Sequence, residues 1–284
     1  MTHFLALSSI VVYIVVTAVC LMQLWRPSRS GRSTRISRDG FLVAFSLHSA
    51  TIVTIANEPR LRVLDNGADY FLWVSWAIAL VFLFFRKKLA YPIVGAFVAP
   101  SIIACMASSS YLLHTDSQSL LEGATGAGGT QGVWLSVLHG VPALVAVVSL
   151  ILALIVSLVF LIVERRLKRK PGAVLEASGP NLQFLDQLNM QLLQVGFVAI
   201  SFVIVSGGLW AVSEQKPVFS PDTSVVSGVV IWVLLACVLH ARLVLQWSPK
   251  RVSRLTVCIT ASFVISVFLV FAFAGRLTHA SLVS

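Results

Sequence analysis

The sequence predicts an all-α membrane protein: a polytopic bundle of about eight transmembrane helices with both termini outside. Three observations lead there. Hydrophobic residues make up 57% of the 284 and charged residues only 11%, with a mean hydropathy of +0.91. So little polar surface cannot cover a water-soluble globule. Apolar stretches near the roughly 20 residues that a helix needs to cross hydrocarbon recur eight times along the chain. The basic residues between those stretches alternate from one side to the other.

The spans fall at about 4 to 25, 40 to 56, 67 to 85, 91 to 112, 133 to 163, 189 to 212, 226 to 246 and 253 to 274. The second is short, yet 41 to 56 is apolar and free of charge. The first loop carries Arg26, Arg29, Arg32, Arg35 and Arg38, and the third carries Arg86, Lys87 and Lys88. Arg165, Arg166, Lys168, Arg169 and Lys170 follow the fifth span, and Arg242, Lys250, Arg251 and Arg254 surround the seventh loop. These are 17 of the 21 basic residues; only Arg60, Arg62, Lys216 and Arg276 fall on the alternate side. The positive-inside rule then puts the four basic loops in the cytoplasm. The net charge of +10 is thereby accounted for by topology, which argues against a nucleic-acid partner.

The N-terminus lacks a basic n-region and its apolar run exceeds the h-region of a signal peptide, so it reads as the first span. Residues 1–39 form that span with its basic cytoplasmic loop, and 40–284 form the main transmembrane domain. Cys20, Cys105, Cys237 and Cys258 all lie in spans without a CxxC or CxxCH motif, so neither thiol redox chemistry nor covalent haem attachment is signalled. The outer loop 113–132 is a Ser- and Gly-rich connector. The inner segment 164–188 reads as part surface helix, with Phe184, Leu185 and Leu188 against the membrane. P-loop, HExxH and Ser/His/Asp signatures are all missing, so the common catalytic templates do not apply.

Four histidines then stand out, because an ionisable side chain within hydrocarbon costs free energy and a neutral imidazole is a good haem or metal ligand. His48 lies eight residues past Gly40, about 12 Å into the second span at 1.5 Å per residue. His240 lies six residues before Gln246, roughly 9 Å from the same side. These two match in depth and make the expected axial pair for a haem iron. His139 is expected at the outer rim, with Pro142 in a helix-start position behind it, and His279 just beyond the eighth span. A single histidine in a span often only bonds a neighbouring helix, a contact worth about 0.6 to 2 kcal/mol. Trp73, Trp76, Trp134 and Trp210 map to the outer half, Trp232 lies deeper, and Trp25 and Trp247 read as inner-interface anchors.

The stretches LHSATIVTIANEPRLRVLDNGADYFLWVSWAI, LHGVPALVAVVSLILALIVSLVFLIVERRLKRK, LQVGFVAISFVIVSGGLWAV and WVLLACVLHARLVLQWSPKR, in that order, resemble the cytochrome c assembly protein family, in particular its CcsA/HemX-like integral membrane haem-handling branch. The resemblance runs from about His48 to the C-terminus. It implies histidine pairs at two levels. His48 and His240 match the membrane pair, His139 the first outer histidine, and the RLTHAS around His279 the second. It also implies non-covalent haem b and no reaction catalysed by the chain itself; Trp76 and Trp210 are the candidate aromatic residues beside the haem, since aromatic side chains can hold a flat macrocycle. The implied partners are haem, the lipid bilayer and other cytochrome c maturation proteins or a haem-biosynthesis enzyme; the implied place is the bacterial cytoplasmic (inner) membrane. The chain departs from the family between Gly207 and Trp232, where GGLWAVSEQKPVFSPDTSVVSGVVIW lacks the repeated Trp-Gly-Trp-Asp character of the tryptophan-rich WWD segment. An outer site formed by His139 and His279 is therefore expected to be weaker and more exposed than the inner one, and a HemX-like regulatory role is the alternative. A small-solute transporter would show inverted repeats or broken helices, and no internal repeat is evident.

The charge alternation makes a direct prediction. Reporter fusions at the C-terminus should score as periplasmic and fusions within 26–38 as cytoplasmic. The opposite result at either place would mean a different number of spans.

Overall fold

The computed structural model describes residues 2–25, 31–56, 67–85, 91–116, 130–169, 181–213 and 223–280. They form α1 (Thr2–Trp25), α2 (Gly31–Ala56), α3 (Gly67–Phe85), α4 (Tyr91–Asp116), α5 (Thr130–Arg169), α6 (Leu182–Ser213), α7 (Thr223–Leu243) and α8 (Pro249–Ala280). Among the described residues there is no strand. Seven helices, α1 to α7, are long and apolar enough to cross a membrane, and α8 runs through the eighth expected span. The molecule is a multi-pass helical membrane protein.

Its surface shows why. Along α6 the exposed residues Val195, Val198, Phe202, Val205, Leu209 and Val212 recur every three or four positions, which makes one helix face wholly apolar. The buried face of the same helix carries Asn189, Gly196, Ala199 and Ser206 among its leucines. Small and polar residues inside with large apolar residues outside is the pattern that lipid selects. Hydrocarbon already solvates leucine and valine, so helices associate through close approach and hydrogen bonds.

Three local expectations are corrected. The second span is not short: α2 begins at Gly31 and carries Arg35 and Arg38 on continuous helix. Gly40 lies within this helix where α1 passes closely, and a Cβ there would lie 2.9 Å from Val16 Cγ2. Leu185 and Leu188 are not surface residues, being 0% and 6% exposed. They lie in the first turns of α6, which Asn181 caps by accepting the Gln183 N–H at 2.9 Å. Finally, Pro142 sits inside α5 rather than at its start. A proline within a transmembrane helix is tolerated where neighbouring groups take up the freed carbonyl. The expected Ser- and Gly-rich connector lies largely at 117–129, outside the described residues.

The chain forms two compact units. The first comprises 1–112 and 162–184. Its centre is an aromatic stack in which Phe41 meets Tyr13 at 5.3 Å and Phe82 at 4.8 Å between ring centroids, joining α1, α2 and α3. Gly95 brings α4 against Cys20, whose Sγ would be 3.1 Å from a Cβ there. The second unit comprises 113–161 and 185–284. Leu150 of α5, Leu193 of α6, Leu235 of α7 and Val252 of α8 meet in its core. At one end Arg242 donates to the Asp186 carboxylate and to the Trp247 carbonyl, tying the start of α6 to the α7–α8 turn. That turn reverses at Gln246, which takes a left-handed φ of 49°.

The close approach at Gly40 sets a stability test. Gly40→Ala should destabilise the detergent-solubilised protein by about 1–3 kcal/mol through overpacking, and adding Val16→Ala should recover part of that loss. Unchanged thermal unfolding of Gly40→Ala, or no recovery in the double variant, would refute the contact.

Candidate functional site

His48 is the more deeply enclosed of the two histidines of the expected membrane pair, 0% exposed within the first unit. Its Nε2 lies 3.3 Å from Ser75 Oγ on α3, and the Ser75 hydroxyl donates to the Leu72 carbonyl at 2.8 Å. The other ring nitrogen, Nδ1, is buried without a hydrogen-bond partner. The Tyr13 ring stands edge-on to the imidazole with centroids 6.3 Å apart, and the Tyr13 hydroxyl is likewise buried and unpartnered. One residue further along both helices, Trp76 Nε1 donates to Ser49 Oγ at 3.0 Å. The Trp76 indole stacks on Phe45 at 5.8 Å and meets Trp73 edge-on. The expected haem-side tryptophan Trp76 therefore belongs to the same α2–α3 seam as His48.

His139 lies in the second unit on α5, inside the apolar stretch Val137–Arg169 and close to its beginning. It is half-buried. Its Nδ1 is 3.1 Å from Ser206 Oγ on α6. One turn further along α6, Trp210 stands edge-on to the imidazole, centroids 6.0 Å apart at 86°. Between them Gly207 allows the close approach: a Cβ there would lie 3.3 Å from His139 Cε1. A side chain there would crowd the ring, which would have to give way. The structure thus joins two residues singled out from sequence alone, His139 and Trp210.

His240 also belongs to the second unit, near the end of α7, where its carbonyl accepts the Val244 N–H at 2.9 Å. Its side chain is exposed, on the same outward stripe as Cys237 and Leu243, whereas His139 is only half-exposed. The expected order of protection does not extend to His240. His279 lies on α8, and its side chain falls outside the described residues. Among the described residues, no three His, Cys, Asp or Glu side chains converge on one point.

Sequence reasoning missed the partners. Ser75, Ser206 and Tyr13 are ordinary residues of apolar helices, and no spacing in the sequence links Ser206 to His139, 67 positions away. The one available signal was the presence of hydroxyl groups within spans, since buried polar atoms in lipid are placed against other polar atoms.

A sequence model of the Cytochrome C assembly protein family matches residues 65–276. The chain belongs to this family. Among curated proteins it is similar to the cytochrome c biogenesis protein CcsA of Chlorella vulgaris, 22% identical over 216 residues, covering 66% of this chain and 67% of that one. The CcsA of Parasynechococcus marenigrum (strain WH8102) is 26% identical over 209 residues with the same coverage. That of Guillardia theta is 22% identical over 203 residues, 66% of each chain. The matched segment takes in Trp76, His139, Trp210 and His240, and stops short of His48 and His279.

Proposed function

We propose that this protein acts in cytochrome c maturation in the bacterial cytoplasmic membrane, where it holds haem b without a covalent bond. Membership of the family and the likeness to CcsA proteins support the process. The carrying observation is the His139–Trp210 pair across Gly207, within the matched segment. Haem supplies an iron that takes one or two axial imidazoles and a flat macrocycle that packs against aromatic and small residues.

The residues present fit such a group. His139 offers an imidazole held from one side by Ser206, with the Trp210 edge and the bare backbone of Gly207 beside it. His48 offers a buried imidazole whose Nε2 would become available once it gives up Ser75. His240 presents an exposed imidazole on α7. In this reading His48, His139 and His240 are ligand candidates, with His279 as a further one; Trp76 lies on the same seam as His48 and Trp210 stands edge-on to His139. The chain's own work is to bind, orient and shield haem for proteins that attach it.

An absorption spectrum tests this. Purified protein titrated with haem should give a Soret band and a low-spin bis-histidine visible spectrum, and His48→Ala, His139→Ala and His240→Ala should each lower the haem retained. Absence of a Soret band, or a triple variant that binds as the wild type does, would sink the proposal.

A further inference from the structure

A neutral imidazole carries one proton, and only its bare nitrogen can bind a metal. Which nitrogen is bare follows from the partners. Two tryptophans show how serine behaves in this protein. An indole N–H can only donate, and Trp76 and Trp232 donate to Ser49 and Ser201 at 3.0 Å and 2.9 Å. Each of those serines gives its own proton to a carbonyl of its helix, Phe45 and Phe197 respectively, both at 2.9 Å. Serine inside a helix commonly does so.

The two histidines repeat the pattern with opposite nitrogens. Ser206 gives its proton to the Val203 carbonyl at 3.2 Å, and the His139 ring faces the same carbonyl. The Ser206 oxygen therefore accepts from His139 Nδ1–H, and Nε2 is left as a bare lone pair. Ser75 gives its proton to the Leu72 carbonyl, which the His48 ring also faces. There the oxygen accepts from Nε2–H, and the bare nitrogen is Nδ1, the one with no partner. Nδ1 is next to the carbon that carries the side chain, so a flat macrocycle approaches it poorly. Nε2 is the unhindered end of the ring.

We propose that Ser206 is a positioning residue that fixes His139 with its proton on Nδ1 and its Nε2 ready for iron, whereas Ser75 holds His48 in the opposite tautomer with Nε2 closed. A free neutral imidazole prefers its proton on Nε2. His139 therefore needs Ser206 to hold the less favoured form, whereas His48 sits in the favoured one. His139 takes a metal without rearrangement; His48 must first give up Ser75. The tautomers stand independently of the haem reading, and only the ligand role rests on it.

Nitrogen NMR of the full chain labelled with 15N-histidine, free of haem and at a pH where the rings are neutral, reads the tautomers directly. Signals are assigned by their loss in His139→Ala and His48→Ala. The expected result is a protonated Nδ1 in His139 and a protonated Nε2 in His48. Ser206→Ala should move His139 to the Nε2–H form or an average, Ser206→Thr should restore it, and Ser75→Ala should leave the His48 tautomer in place. A wild-type His139 protonated on Nε2, or one unmoved by Ser206→Ala, overturns the proposal. In a haem titration Ser206→Ala should weaken binding roughly tenfold, as loss of an orienting partner does for other metal-bound histidines, with Ser206→Thr close to wild type. Unweakened binding in Ser206→Ala overturns the positioning role. If His139→Ala itself binds haem as the wild type does while the tautomers are as expected, the haem reading of His139 fails and the tautomer assignment remains.

Discussion

Hydrocarbon offers no hydrogen bonds, so a polar side chain that enters it is stabilised by a partner on another helix or on its own backbone. In this protein serine repeatedly meets that demand. Ser49 and Ser75 join α2 to α3 through Trp76 and His48, Ser206 joins α5 to α6 through His139, and Ser201 joins α6 to α7 through Trp232. Ser157 adds a second α5–α6 bond by donating to Asn189 Oδ1 at 3.0 Å. A serine hydroxyl is well suited to this because it donates to the carbonyl one turn back and still accepts from a neighbour. Each such bond constrains the rotation of two helices, and at His48 and His139 it also bears on the nitrogen that the ring presents.

Close approach does the rest. With lipid outside as apolar as leucine, burial of large side chains gives little preference for one helix pairing over another, and packing detail decides. Gly40 against Val16, Gly95 against Cys20 and Gly207 against His139 are three places where the missing Cβ lets a neighbour come within contact distance. The last has a chemical consequence as well as a structural one. It seats the His139 ring against α6, within reach of Ser206 and edge-on to Trp210.

The candidate histidines differ in readiness from one unit to the other. His139 is half-buried, oriented through Nδ1 and flanked by a tryptophan, whereas His48 is enclosed and bonded through Nε2, the unhindered end of its ring. Side chains of the same type, each placed in a span, therefore have different chemistry because serines on the adjoining helices meet different ring atoms. Between Gly207 and Trp232 the sequence carries one further tryptophan, Trp210, and it is the one that stands edge-on to His139.

The sequence by itself determined the class, the helices and the family. Span length and the dearth of charge are one-dimensional properties, set by the thickness of the bilayer and the cost of placing charge in it, so they can be read without knowing which helix meets which. His139 and Trp210 were legible because imidazole and indole are rarely idle in lipid. The full length of α2 was hidden, because Arg35, Arg38 and Asp39 end the apolar run without ending the helix. Leu185 and Leu188 were misplaced for a similar reason, since apolar residues next to a basic segment suit a membrane surface as well as a helix core. Only the tertiary structure decided that Ser206 meets His139 by Nδ1 and Ser75 meets His48 by Nε2. A tautomer depends on the position of one oxygen to within a few tenths of an ångström, and that position is set by how neighbouring helices rotate and slide against each other, which no spacing along a single chain encodes.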